Sequence, residues 1–526
     1  MPGRTMVEIE DREGGQAEER VVRDRIEKLA KLRARGVEPY AYRYEPDGTA
    51  ADALARFARW EAEGGEGEGE GPPEILRLAG RIVSRRGMGK STFAHLADRT
   101  GKLQLYFRVN DVGEDAYQLL DLLDLGDWIG AEGTLFRTRT GEVSLRVRAC
   151  TLLAKNLRPL PLGKEEVDPD TGERRVHSGF TDLGARYRQR YADLAVNPEV
   201  REVFVLRAKL VTALRRFLDE RGFVEVETPI LQPLYGGALA RPFTTHHNTL
   251  GMQLYLRIAD ELYLKRLIVG GLERVYEIGK NFRNEGIDRF HNPEFTMLEF
   301  YAAYWDYEAV MDFTEELLAY AVEQVLGGTT ARFGAHEIDF APPFRRYTMY
   351  GALREVGGVE VEALDDEALR AEVRALGVGA GEAAGMGRGR LIDELFGERV
   401  EPKLVQPTFI TDYPREMSPL AKPKRGDPAL TERFELIVAG KELLNAYSEL
   451  NDPIDQRGRF EAQARLREAG DEETQPVDED YLRALEYGLP PTGGFGMGID
   501  RLAMILSGQL SIRDVVLFPT LRPEEG

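Results

Sequence analysis

The chain has 526 residues with 90 acidic against 70 basic and a net charge of −20, too long for one hydrophobic core and too acidic to wrap long duplex non-specifically. Its single cysteine, Cys150, excludes an internal disulfide framework, and its six histidines show no spacing with paired cysteines that would suggest structural zinc. No stretch approaches the ~18 apolar residues needed to cross a bilayer, and the start MPGRTMVEIEDREGG lacks a signal-peptide core, so membrane roles are set aside and the cytosol is expected.

Residues 1 to 20 are polar and read as frayed, after which VVRDRIEKLAKLRARG spaces Val22, Ile26, Leu29 and Leu32 along one helical stripe ending at Gly36. The acidic, glycine-rich EAEGGEGEGEGPP, 61–73, has almost nothing apolar to bury and reads as a flexible surface loop. Five short β-rich segments follow, from ILRLAGRIVS to VSLRVRACTLL, with turn signals DRTGK and TRTGE between them; they predict a small barrel. SRRGMGKST inside it resembles a phosphate loop, but Ser84 stands where the first glycine must be, so a basic turn between strands is the better reading.

A polar linker, 161–180, leads into a mixed unit. Val203, Leu206, Leu210, Leu214 and Phe217 share one helical face, and Gly222 supplies the stop. A strand (FVEVETP), a strand-to-helix unit (YLRIADELYLKRLIVGG), a hairpin over 282–301, a helical region to about 405, a second hairpin (RFELIVAGKELLNAYSELND) and a glycine-rich strand entering a helix (TGGFGMGIDRLAMILSG) follow. Strands joined by short turns, with helices in blocks, predict an antiparallel α+β sheet.

The charge within these strands points to a ligand. Alternation puts Phe295, Met297, Glu299 and Tyr301 on one face and Thr296, Leu298 and Phe300 on the other, so the first lines a pocket and the second makes core. Arg283 and Glu285 are expected to point together from the partner strand, and Asn445, Tyr447 and Glu449 repeat the pattern. Glu261 falls in the first turn of its predicted helix, where the dipole favours an ionised carboxylate. Buried arginine–glutamate pairs are often purely structural, but this many carboxylates without matching lysine or arginine imply an absent cation. Gly494, Gly496 and Gly498 share a strand face, leaving backbone for a flat ligand, and Arg501 follows at the helix start. With Phe295 it suits an adenine sandwich.

These residues carry a resemblance. VREVF…FVEVETPIL, FRNEG…HNPEF and GMGIDR resemble motifs 1, 2 and 3 of class II lysyl-tRNA synthetases of bacterial type, over roughly residues 20–522, and GGALARPF and YSELNDP point within the class to lysine. The resemblance implies an OB-fold anticodon-binding barrel at 76–155 behind a helical arm and loop at 1–75, a linker at 156–180, and a catalytic domain at 181–526 with a variable helical region at 328–405. It implies that Arg283 bridges the lysine carboxylate and the ATP α-phosphate, that Glu285, His291, Phe295, Glu442, Gly498 and Arg501 hold ATP, and that Phe295 and Arg501 sandwich adenine. Glu299 and the Gly237 carbonyl would take the α-amino group; Glu261, Tyr301 and Glu449 the ε-ammonium; Asn445 and Tyr447 would line the pocket. Glu435 and Glu442 would bind Mg²⁺, up to about three ions per subunit. Phe93, Gln104 and Glu142 match anticodon contacts, and motif 1 implies a homodimer. The family's usual arginine before the motif 2 histidine is Phe290 here, with Arg289 one residue earlier, which leaves the contact to the outer phosphates open. The rivals are an aspartyl- or asparaginyl-type enzyme and a non-catalytic RNA-binding protein on the same scaffold.

Overall fold

Alternating apolar residues close the first part of the chain into a barrel, while a second, larger run of strands stays open as a sheet. The computed structural model describes residues 6–65, 70–167, 174–177, 179–238, 240–468 and 476–524. The chain divides into two units, Met1–Asp182 with Tyr191–Val196, and Leu183–Arg190 with Asn197–Gly526.

In the first unit, helix α1 (Met6–Ala34) begins well before Val21, in the stretch expected to fray. Leu29 and Leu32 are buried but Ile26 is exposed, so the apolar stripe is narrower than the spacing implied. Helix α2 (Ala50–Ala62) was not expected; Thr49 and Asp52 form a reciprocal cap and Ala50, Ala53 and Phe57 are buried. It takes the first two residues of the acidic segment 61–73, whose residues 66–69 lie outside the described ones. Strands β1 (Ile75–Met88), β2 (Ser91–Ala97), β3 (Lys102–Arg108), β4 (Trp128–Arg137) and β5 (Val143–Ala154) form a closed barrel in the order β1-β2-β3-β5-β4. SRRGMGKST is the β1–β2 hairpin: Met88 pairs with Ser91 around Gly89, whose φ of 65° suits a two-residue turn. In the linker, Lys164–Val167 pairs with Arg174–His177 as a small ribbon; 168–173 and 178 lie outside the described residues.

After its short first segment, Leu183–Arg190, the second unit continues with α3 (Pro198–Asp219), which buries Leu210, Leu214 and Phe217; Gly222, at φ 77°, turns the chain back. An eight-stranded sheet follows, made of β6 (Val224–Glu225), β7 (Arg274–Phe282), β8 (Glu294–Ala303), β9 (Arg345–Thr348), β10 (Thr408–Thr411), β11 (Arg433–Val438), β12 (Lys441–Ser448) and β13 (Thr492–Gly498), ordered β9-β10-β11-β12-β13-β8-β7-β6. Pairing is antiparallel except at the ends, where β9 runs parallel to β10 and β6 to β7. One face packs on α3, α5 (Tyr307–Leu326) and α7 (Ile499–Ser507). There Phe300 opposes Phe495 across β8 and β13 with rings stacked at 4.4 Å. Each such fully buried ring contributes about 1.5–3 kcal/mol. The other face is half covered by α4 (Glu261–Val269) and α6 (Glu479–Glu486), around Leu264, Val275 and Tyr481. Its other half is open to the pocket.

Residues 328–405 are more than a helical surface. They hold a hairpin (Thr330–Phe333 with His336–Asp339), edge strand β9, and helices around a separate core of Met349, Leu353, Leu369, Leu391 and Leu395.

Candidate active site and barrel face

Register across three neighbouring strands builds the pocket in rows. Tyr447, Gly494 and Tyr301 stand side by side on β12, β13 and β8; so do Asn445, Gly496 and Glu299; Met297 faces Gly498. Because β13 contributes only glycines on this face, the flanking side chains border a cavity of about 410 Å³, lined also by Gly237, Glu261, Arg283, Glu285, His291, Phe295, Glu442 and Arg501. That size suits a small ligand held by a few convergent polar groups. The three glycines are not equivalent. A Cβ at Gly494 would lie 1.9 Å from Glu449 Oε1 and 2.6 Å from Tyr301, so this glycine makes room for the protein's own side chains. At Gly496 and Gly498 the nearest atoms are 3.4 and 3.7 Å away, which leaves open floor.

At one end of the cavity the carboxylates gather, and here the expected shortage of cations needs correcting. Lys265, one turn after Glu261 on α4, is fully buried and ion-paired to both Glu261 and Glu449. Burial favours loss of its proton, but the two carboxylates outweigh that and hold its pKa above the usual value. Tyr447 donates to Glu261 at 2.7 Å, and Tyr301 to Glu299 at 3.2 Å. Glu299 pairs with no cation among the described residues; burial and the nearby Glu261 push its carboxyl up to about 7. Three carboxylates thus face one ammonium, so negative charge is still in excess. The sequence did carry a signal for Lys265, the i,i+4 spacing ELYLK, but not its second partner 184 positions later.

At the other end are phosphate-sized groups. Arg283 and Glu285 lie in the loop after β7 rather than on the strand, since β7 ends at Phe282. It is Arg283, not Arg501, whose guanidinium lies over Phe295, 5.1 Å from the ring centre. Arg501 donates to the Glu442 carbonyl at 2.6 Å and meets His291 Nε2 at 3.2 Å. Asp288, which sequence reasoning passed over, accepts from the Phe290 and His291 amides at 2.6 and 2.8 Å and meets His291 Nδ1 at 2.8 Å, fixing the motif 2 loop. Phe290 turns inward against Val438 and Leu443, with Lys441 over its ring at 5.7 Å, while Arg289 is exposed. Asp500, also unanticipated, ties three elements together, accepting from Arg207 at 2.7 Å and from the Thr296 amide at 2.8 Å.

Glu435 accepts from Arg433 at 2.6 Å and from Tyr413 at 2.9 Å; burial first, and Glu442 second, raise its carboxyl to about 7. Two carboxylates that penalise each other's charge fit a dication with few protein ligands and phosphate oxygens for the rest. No group of three or more candidate metal ligands occurs among the described residues.

On the barrel, Phe93 and His95 of β2 sit opposite Tyr106 and Gln104 of β3. Phe93 stacks on Tyr106 at 4.6 Å. A side-chain chain runs from Ser84 through His95 (2.7 Å) to Glu142 (3.0 Å), which accepts from Gln104 at 2.6 Å; the Gln104 oxygen accepts from Ser144 at 2.8 Å. The three residues expected at an anticodon face therefore share one surface, with Ser84, His95 and Ser144 as unanticipated members.

Comparison with known proteins adds the family. A profile described as tRNA synthetases class II (D, K and N) matches residues 182–522. The chain belongs to that family. A second profile, an OB-fold nucleic acid binding domain, matches residues 76–153 of this class II synthetase. The synthetase is 52% identical over 507 residues to the lysine–tRNA ligase of Pelotomaculum thermopropionicum, covering 96% of this chain and 95% of the relative. It is 52% identical over 512 residues to that of Moorella thermoacetica (97% and 99%) and 50% over 505 residues to that of Carboxydothermus hydrogenoformans (96% and 98%).

Proposed function

We propose that this class II synthetase is a lysine–tRNA ligase, which joins lysine to ATP as lysyl-adenylate and passes the lysyl group to the 3′ end of its tRNA. The observation that carries the amino-acid choice is the group of Glu261, Glu299 and Glu449 around a single internal ammonium. An aspartate or asparagine pocket would instead present a cation or amide donors to the substrate side chain.

Arg283 is the group to meet both the lysine carboxylate and the α-phosphate. Burial lowers its pKa while Glu285, Glu442 and Glu299 oppose that, so it stands among the residues assigned to both substrates. The lysine carboxylate attacks the α-phosphorus, pyrophosphate leaves, and the tRNA ribose hydroxyl then attacks the adenylate; no protein nucleophile is required. Catalysis is positioning plus stabilisation of charge developing at phosphorus. Gly237, Asn445 and Tyr447 shape the lysine end; His291, Phe295, Gly498 and Arg501 hold ATP. Glu435 and Glu442 would hold Mg²⁺, which when bound neutralises phosphate charge. Phe93, Gln104 and Glu142 take anticodon bases by stacking and edge contacts. Exposed Val205, Val224, Ile230 and Leu231 in the motif 1 segment support a homodimer, which we place in the cytoplasm.

The test is pyrophosphate exchange into ATP with lysine, norleucine and aspartate. Lysine alone should support it; exchange with aspartate, or none at all, would overturn the reading.

A further inference from the structure

Neither Lys265 nor Glu449 lines the cavity, yet Lys265 is ion-paired both to Glu261, which does, and to Glu449, whose Oε1 lies against Gly494. Its side chain is 0% exposed. Burying an ammonium between carboxylates adds little stability compared with an apolar side chain of equal size. The geometry offers another use. Glu261 gives Oε1 to Lys265 and Oε2 to the Tyr447 hydroxyl. Glu449 Oε2 is ion-paired to Lys265, neither of its two buried oxygens has a hydrogen-bond partner, and Oε1 lies where a Cβ on Gly494 would strike it. Gly494 and Tyr301 both border the cavity. Glu449 Oε1 is thus held directly behind the pocket wall by the ion pair of its twin.

We infer that Lys265 is a positioning residue for amino-acid selection: it fixes which oxygens of Glu261 and Glu449 are turned toward an ammonium-bearing side chain and supplies the internal countercharge between them. This rests on the lysine reading of the pocket. Without Lys265, two carboxylates would share a dry site with Glu299 close by, and such a group takes up a proton in preference to staying doubly charged. The other ionisable groups facing Lys265 are Tyr301, Tyr447 and Tyr481, whose rings lie 5.5–6.0 Å from its nitrogen and offer no countercharge in their neutral form.

The experiment measures lysine and ATP KM by pyrophosphate exchange from pH 7.5 to 8.5, beside thermal melts, for the unmutated protein, Lys265→Met, Glu449→Gln, and the double variant Lys265→Met with Glu449→Gln. If the unmutated protein shows no lysine-dependent exchange, the lysine reading itself fails. Given that activity, Lys265→Met should raise the lysine KM about tenfold or more at pH 7.5, leave the ATP KM within about twofold, and recover toward normal by pH 8.5 as the carboxylates ionise. An unchanged lysine KM, a rise equal at every pH, or an equal rise for ATP would overturn the inference. Should Lys265→Met fail to fold, the double variant is read against Glu449→Gln alone. A positioning role predicts a lysine KM at least about threefold above that of Glu449→Gln with the ATP KM unchanged, because Glu261 also loses its Lys265 partner; a lysine KM equal to that of Glu449→Gln would overturn the inference.

Discussion

In the sheet, Glu261, Glu299 and Glu449 are withdrawn from water around one lysine, whereas in the barrel Glu142 makes similar bonds to His95 and Gln104 with its side chain 48% exposed. Both sites grow from the same device, side chains aligned in rows across neighbouring strands. What differs is the dielectric around them. An unpaired charge in the pocket costs several kcal/mol, while a surface pair is worth at most about 1 kcal/mol. The pocket is therefore built to reject a wrong ligand; the barrel face is built to hold a register while stacking supplies the affinity.

The sharpest way to break this contrast is Glu449→Gln, which keeps volume and removes charge. Lysine kcat/KM should fall about 10²- to 10³-fold, preference for lysine over norleucine should narrow, and melting temperature should drop as well because buried Lys265 keeps only Glu261 as a partner. An unchanged preference in the exchange assay would remove Glu449 from the pocket. Next is Arg283→Ala, expected to slow adenylate formation by about 10²-fold in single-turnover measurements, since it deletes charge where the transition state develops. Third is pH. With its carboxyl at about 7, Glu299 must lose a proton to accept an ammonium, so lysine KM should rise about tenfold per pH unit below 7 and level off above it. The sign for stability is opposite: the folded state holds this proton more tightly than the unfolded chain, whose value is near 4.5, so the stabilising contribution is complete below pH 4.5 and lost as pH rises through 7. A lysine KM flat from pH 5.5 to 8 would exclude Glu299 from ammonium binding. The smallest effect is expected at the barrel: Gln104→Ala should weaken tRNA charging by about 2- to 10-fold and leave exchange untouched. Loss of both activities together would contradict the separation of tasks.

The same dielectric contrast governs what could be read from sequence. Alternation exposed Phe295, Met297, Glu299 and Tyr301 as a pocket face because a strand's two-residue period is local, and the barrel and both hairpins were legible for the same reason. Helix α2 was legible too, through the Thr49–Asp52 cap and the spacing of Ala50, Ala53 and Phe57, and was overlooked beside its acidic neighbour. Lys265 was not fully readable, because Glu449 reaches it only after the sheet has folded. Nor could periodicity show that β7 stops at Phe282: the Arg283 amide still reaches the Pro293 carbonyl, but proline has no N–H to return and the ladder ends there.

The absence of a side chain at Gly494 bears on how this pocket can change over time. With Glu449 in place, any residue larger than glycine there collides with its Oε1 at 1.9 Å, so position 494 is closed to variation. Shortening residue 449 removes that collision but leaves the Tyr301 ring 2.6 Å away, so residue 301 must yield too. A lineage drifting toward a smaller or uncharged amino acid must therefore take its steps in order, 449 and 301 before 494, and passes through intermediates with a widened, weakly selective pocket. That order is itself a barrier to losing lysine specificity by chance.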